Sequence, residues 1–350
     1  MSRAGGSARD DGQVQDPARG VGRPGPPGAR PEEASDRASA ATSSRVGSID
    51  DVVHEVRARL ASAGIAVPRE ADWLVEAATD DDGRLDRVRL DELVARRAAG
   101  QPLQVVVGET AFRFVTVACR SGVFVPRPET EVVAGVAIDA GSAWPMTDRR
   151  VVDLCSGTGA IALAVASEVP GVDVVAVERD VDALDLARTN VARLVDRPRP
   201  SPWRPGDHLA PEASVRVLGG DLFDPLPGAW RGRVAVLVAN PPYLPSADRG
   251  TWAREVADHD PDAALVGGED GHEVVDAILA GAPAWLAPGG TVVVEIDERR
   301  GDHARAAAGA AGLVDATLVV DLAGRDRAVV ARRAGTDHDR SPEHPPSGAQ

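Results

Sequence analysis

From residue 150 onward, short apolar runs rich in β-branched residues alternate with stretches of helical periodicity, and few architectures accept that alternation. The strand-like runs are Val151–Leu154, Val172–Val177, Val215–Leu218, Val234–Val238, Thr291–Ile296, Thr317–Val320 and Ala328–Ala331. Between several of them lie helical stretches at Ala160–Glu168, Val181–Leu194, His272–Leu286 and His303–Gly312. Strands apolar on both faces, separated by helices, predict an open α/β sheet, mostly parallel. Ligands of such a sheet sit beyond the carboxyl ends of its strands. The connection at residues 196–213 is rich in proline and is expected to be a surface loop.

Before residue 150 the pattern changes twice. Ser48 and Asp51 have capping-pair spacing, and Val52, Val53, Val56 and Leu60 follow at helical intervals. A second helix is expected through residues 69–80, with Ala71, Leu74, Val75 and Ala78 on one face. A third runs through residues 89–99 and stops at Gly100. Residues 48–101 thus read as a small helical domain, and a core of about 50 residues is marginal unless it docks on a neighbour. Residues 102–125 take on strand character: "LQVVVG" and "FRFVTVA" are β-branched, and the "GET" between them suits a turn, so a β-hairpin connector is expected. The main domain then covers 126–334. Residues 1–47 and 335–350 are Gly, Pro, Ser and charge without periodicity and read as disordered tails.

Composition excludes several classes. The 350 residues contain 43% apolar side chains, enough for a core, but no apolar run approaches the 18 or so residues of a membrane span. No secretory leader is visible in the first 45 residues, so the expected compartment is the cytoplasm. Two cysteines, Cys119 and Cys155, exclude a disulfide scaffold, and the seven histidines form no HxxxH pair, so no metal is expected. The net charge is -15, which weighs against direct nucleic acid binding. All 39 basic residues are Arg.

Four strand ends carry the chemistry. At Asp153 a strand runs into Cys155, Ser156, Gly157, Thr158 and Gly159, a small-residue turn opening a helix whose first N–H groups are unpaired. It has neither the GxGxxG spacing nor the Lys-Ser/Thr of a phosphate loop. Glu178, 19 residues beyond Gly159, ends the next strand where an acid can accept from both hydroxyls of a ribose; a plain surface carboxylate is the alternative. Asp221 and Leu222 end the third strand, where a carboxylate can meet an adenine amino group and a leucine its ring face, or simply form a strand-ending turn. The fourth, Asn240-Pro241-Pro242-Tyr243, is the sharpest. Two prolines cannot donate to a sheet ladder, so the Asn240 side chain and the Pro241 carbonyl become two fixed acceptors. A planar –NH₂ held by both has its nitrogen aimed and its developing charge stabilised, which N-methylation of a weak nucleophile requires. Tyr243, the single tyrosine, would supply a flat packing wall. Cys155 is expected to line a pocket, since no partner base for a nucleophile is evident. Pro126 to Glu131 reads as a helix start with acids in its first turn.

Together these segments resemble the bacterial protein-(glutamine-N5) methyltransferases that modify peptide chain release factors. The likeness runs through about residues 50–333 and includes "VFVPRPETE", "DLCSGTGAIALA", "GDLFDPL", "VANPPYLP", "HDPDAALVGGEDG" and "LAPGGTVVVEI". "PRPETE" together with "NPPY" marks that family, whereas "NPPY" alone also occurs in nucleic-acid N-methyltransferases. The chain departs from the pattern at Cys155, usually Gly, and at Glu178, usually Asp. The resemblance implies a Rossmann-like methyltransferase sheet with S-adenosylmethionine as cofactor. Asp153, Cys155, Ser156, Gly157, Thr158 and Gly159 would form its loop, Glu178 would hold the ribose, and Asp221 and Leu222 would meet the adenine. Asn240 would touch both cofactor and substrate. Asn240, Pro241, Pro242 and Tyr243 would clamp the glutamine, with Pro126 and Arg127 as further substrate contacts. The helical domain would help dock the release factor, and a monomer is expected. The alternatives are methylation of a flipped base's exocyclic amine by the same clamp, a related glutamine methyltransferase with another protein substrate, and a binding module that kept only the fold.

Overall fold

The computed structural model describes residues 48–196, 208–252 and 254–335. The tail expected at 1–47, all but the first residue of the one expected at 335–350, and residues 197–207 of the proline-rich connection lie outside the described residues.

Four helices come first: α1 (Ile49–Ser62), α2 (Glu70–Ala77), α3 (Arg87–Ala98) and α4 (Leu103–Val107). Ser48 and Asp51 form the expected capping box: Ser48 Oγ accepts from the Asp51 N–H at 3.2 Å, and Asp51 Oδ2 accepts from the Ser48 N–H at 2.9 Å. The apolar faces meet in one cluster around Val56, Leu60, Leu74, Leu90 and Val94. Beside it Arg97 grips Glu70 with two bonds of 2.7 and 3.1 Å, a buried bidentate pair.

Helix α4 corrects an expectation. Its "LQVVV" sequence has the composition of a strand, yet Pro102 precedes a helical turn that Gly108 ends at φ +94°. Leu103, Val105 and Val106 are buried by that turn, and packing outweighs β propensity. The hairpin is therefore shorter and starts later, as β1 (Glu109–Phe112) and β2 (Val115–Ala118) in antiparallel register. Its turn is Arg113–Phe114, with Arg113 at φ +51°, rather than "GET".

The seven-stranded sheet comprises β3 (Arg150–Leu154), β4 (Asp173–Glu178), β5 (Ser214–Gly219), β6 (Val234–Ala239), β7 (Leu286–Glu295), β8 (Leu313–Val320) and β9 (Asp326–Arg333). The order is β5-β4-β3-β6-β7-β9-β8. The first five in that order are parallel; β9 runs antiparallel to both β7 and β8. The predicted mostly parallel sheet is thus present, and its order reverses between β3 and β6.

Side chains alternate cleanly across the sheet. Val151, Val174, Ala176, Val236, Val238 and Val293 pack on one face with α5 (Thr130–Ser142) and α6 (Ala160–Glu168). Val152, Val175, Leu237, Ala239 and Val292 pack on the other with α10 (Glu273–Trp285) and α11 (Gly301–Ala310). Helix α7 (Val181–Val195) joins β4 to β5, and the short α8 (Arg254–His259) and α9 (Asp262–Leu265) follow β6. The helical cluster of α1–α4 has its own core, and the described residues fall within one compact unit.

Leu74 is completely buried in that helical cluster. Leu74→Ala is expected to cost about 2–5 kcal/mol of stability, read as a lowered urea midpoint. An unchanged midpoint would contradict a packed core there.

Candidate active site

The site grows from the carboxyl ends of four adjacent parallel strands. After β3 the chain turns through Cys155 and Gly157, both at φ +56°, and Gly159 at φ +81° before entering α6. The loop is strapped to β4: the Ser156 N–H donates to the Val177 carbonyl at 3.0 Å, and the Gly157 N–H to Glu178 Oε2 at 2.8 Å. Glu178 Oε1 accepts from the N–H groups of Arg179 and Asp180, each at 2.8 Å. The carboxylate therefore already takes three backbone donors, and of roughly four acceptor positions about one remains for a ligand. Burial pushes the Cys155 thiol well above its ordinary pKa, so it lines the pocket as a neutral group.

Asp153 is fully buried beneath this loop. Its Oδ2 accepts from the Ala162 N–H at 3.0 Å, at the start of α6. Burial, with the Glu178 charge adding, pushes its carboxyl up to about 8. Asp153 Oδ1 and Ser156 Oγ are buried and have no hydrogen-bond partner among the described residues.

At the end of β6, Asn240 Nδ2 donates to Thr130 Oγ1 at 3.2 Å. The Tyr243 hydroxyl donates to Glu295 Oε1 at 3.2 Å. Glu295 is buried, which pushes its carboxyl up to about 7 against the pull of hydrogen bonds from Thr130 and Tyr243 and of the Arg327 charge. The segment after the prolines is gripped by its own main chain. Leu244 pairs with Val266: its N–H donates to the Leu265 carbonyl at 2.8 Å, and its carbonyl accepts from the Gly267 N–H at 3.0 Å. A Cβ on Gly267 would fall 2.5 Å from the Pro242 carbonyl oxygen, and one on Gly271 would fall 2.4 Å from that of Tyr243.

These ends enclose a cavity of about 210 Å³. Cys155, Gly157, Glu178, Asp221 and Leu222 line one part of it, and Asn240, Pro241, Pro242 and Tyr243 another. Arg127 enters from the segment ahead of α5; its guanidinium pairs with the buried Asp260 and lies 5.0 Å from the Phe124 ring. Val256, Pro261, Ala263, Ala264 and Leu265 add an apolar stretch to the wall. Asp153, Ser156, Thr158 and Gly159 support the loop from behind and do not line the cavity, and neither does Pro126. Asp221 is largely exposed and faces Arg179 at 3.8 Å.

The chain is 39% identical over 293 residues to the release factor glutamine methyltransferase of Streptomyces coelicolor, covering 81% of this chain and 97% of the relative. The chain belongs to that family. The enzyme of the same name from Mycolicibacterium smegmatis is 39% identical over 80% of this chain and 96% of its own length. That of Bifidobacterium longum is 35% identical over 81% and 99%. A family model for the methyltransferase small domain matches residues 130–197.

Within this family member, three features escaped the reading of the sequence. Thr130 looked like part of a helix start and Glu295 like the end of a strand; only the fold puts both beside the Asn-Pro-Pro-Tyr segment. Gly267 and Gly271 carried a legible signal, since paired glycines after a loop often mark close backbone approach.

Two expected outcomes follow from these contacts. Gly271 sits at φ +78° against a backbone oxygen, so Gly271→Ala must displace Tyr243, and methyl transfer is expected to fall by about tenfold or more; steady-state kinetics would show it. Asp153 holds its proton in the folded chain up to about pH 8 but loses it near pH 4 when unfolded. The folded state therefore binds the extra proton, and stability falls as pH rises through that window. Asp153→Asn is expected to make the decline of melting temperature between pH 5 and 8 shallower; an equal slope would show that Asp153 ionises freely.

Proposed function

We propose that this protein transfers a methyl group from S-adenosylmethionine to the side-chain amide nitrogen of a glutamine in a peptide chain release factor. One juxtaposition carries the reading: Asn240, Pro241, Pro242 and Tyr243 open onto the same cavity as Cys155, Gly157, Glu178 and Leu222. The names and extents of the relatives point to the same reaction.

The residues present fit the cofactor. Gly157 lines the cavity, and a side chain there would meet open space, so its backbone can be approached closely. Glu178 keeps acceptor capacity for a ribose hydroxyl, and Leu222 offers an apolar face to a purine. When bound, S-adenosylmethionine supplies an electrophilic methyl group on a sulfonium. The chain's own work is to aim the nitrogen. An amide nitrogen is a poor nucleophile, and the Asn240 Oδ1 and the Pro241 carbonyl accept its two N–H bonds, fixing its position and stabilising charge as it develops. Tyr243 walls the glutamine side chain, and the apolar side chains of Pro261, Ala263, Ala264 and Leu265 keep water from it. Arg127, held by Asp260, stands where residues flanking the glutamine would pass. The helical unit of residues 48–101 would meet the rest of the release factor. On this reading the protein acts as a cytoplasmic monomer on a protein partner, without direct nucleic acid contact.

Incubation with labelled cofactor and purified release factor is expected to add one methyl group to the peptide bearing the reactive glutamine, read by mass spectrometry, and none when that glutamine is replaced by Ala. Label appearing in total RNA or DNA instead would overturn the assignment. Asn240→Ala is expected to reduce turnover by about 100-fold or more while leaving cofactor affinity within a few-fold; near wild-type turnover would refute the clamp.

A further inference from the structure

We propose that Asn190, on α7, is a positioning residue that locks the turn presenting Gly157 to the cavity, so that cofactor affinity depends on it. The inference rests on the reading of that turn as the cofactor loop and concerns what fixes its shape.

Helix α7 buries Ala183, Leu186, Ala187, Asn190 and Leu194 along one face. Asn190 is the single polar member and is 2% exposed. A polar side chain on a buried apolar face has to find partners. It finds three, all main-chain. Its Oδ1 accepts from the Ala118 N–H at 2.9 Å, at the end of β2. Its Nδ2 donates to the Ala118 carbonyl at 3.3 Å and to the Thr158 carbonyl at 3.0 Å. Turned over, the amide would set its oxygen against two carbonyls, so its orientation is fixed.

The bond to Thr158 is the one that bears on the cofactor. Residues Ser156 to Gly159 form a turn, closed by the Gly159 N–H donating to the Ser156 carbonyl at 2.7 Å. Gly157 at φ +56° and Gly159 at φ +81° flank Thr158, and glycines leave the peptide planes around it freer to rotate. In a trans peptide the C=O and N–H point opposite ways. Holding the Thr158 carbonyl on one side therefore aims the Gly159 N–H at Ser156 on the other. Glu178 holds the turn from β4, at the Gly157 N–H. Asn190 holds it from α7, where a Cβ on Gly159 would lie 3.5 Å from that of Ala187. Apolar contact alone has no direction, whereas these bonds do. Through Ala118 the same side chain is tied to the strand that leads into Val123 and Phe124, which line the cavity. One buried amide thus joins two parts of the cavity wall.

The test measures the Kd of S-adenosylmethionine by calorimetry for wild type, Asn190→Ala, Asn190→Leu and Leu194→Ala, with thermal melting and with kcat on purified release factor at saturating cofactor. Asn190→Ala and Asn190→Leu remove all three bonds. Each is expected to raise the Kd by about tenfold or more, while kcat at saturating cofactor stays within about threefold of wild type. Leu194→Ala thins the packing of the same helix one turn further on and leaves the bonds to the turn in place. It is expected to lower the melting temperature with the Kd within about threefold of wild type. Asn190→Ala leaves room for water at the abandoned groups, so it decides the matter should Asn190→Leu fail to fold. A Kd within about threefold of wild type for either folded Asn190 variant would overturn the proposal. So would an equal rise in Leu194→Ala, or a loss confined to kcat. Failure of both Asn190 variants to fold would overturn it too, because Asn190 would then hold up the fold and not the turn. The wild-type titration separates the two claims: no binding at all fails the cofactor reading, and binding that Asn190→Ala keeps unchanged fails only the positioning role.

Discussion

Two consecutive prolines after a strand buried along its whole length decide where that strand stops and so where Asn240 stands. Neither residue can donate to a ladder, so β6 ends at Ala239 and Asn240 is left at the carboxyl edge of the sheet. Because β3, β4 and β5 run parallel to β6, their ends arrive at that same edge. The glycine turn, the acid at Glu178 and Leu222 converge on Asn240 without any need for a long reaching loop. The reversal of strand order between β3 and β6 opens the crevice in which they meet.

Cys155 and Glu178 are physically linked. Cys155 adopts φ +56°, a conformation where glycine is at ease and a residue with a Cβ carries strain on the order of 1 kcal/mol. Glu178 reaches back to the Gly157 N–H and also accepts from those of Arg179 and Asp180. Charge-assisted bonds of this kind are stronger than neutral ones, and this one holds the loop to β4 just beyond the strained residue.

Much of the fold could be read because its signals are local. Strand runs and helix periodicity placed all seven sheet strands, and Ser48 with Asp51 located the start of α1. The failure at residues 103–107 is equally instructive: Val105, Val106 and Val107 prefer extended backbone, but burying them against the neighbouring helices favoured a turn of helix between Pro102 and Gly108. The site divided in the same way. The Asn-Pro-Pro-Tyr run and the small-residue turn announce themselves through backbone constraints any reader of sequence can apply. Thr130 and Glu295 do not, because a threonine at a helix start and a glutamate at a strand end are ordinary; their significance arises only when α5 and β7 are laid beside β6. Nor did the sequence disclose that Glu178 would be mostly occupied by backbone amides.

The contact between Leu244 and Val266, and the close approach of Gly267 and Gly271 to the carbonyls of Pro242 and Tyr243, are made by main-chain atoms. The side chains of the adjoining wall, Val256 and Ala263 to Leu265, take no part in that grip. Hold and lining are accordingly separable in this molecule: the side chains along that wall can drift through generations of mutation while the main-chain grip on Tyr243 and Leu244 stays the same.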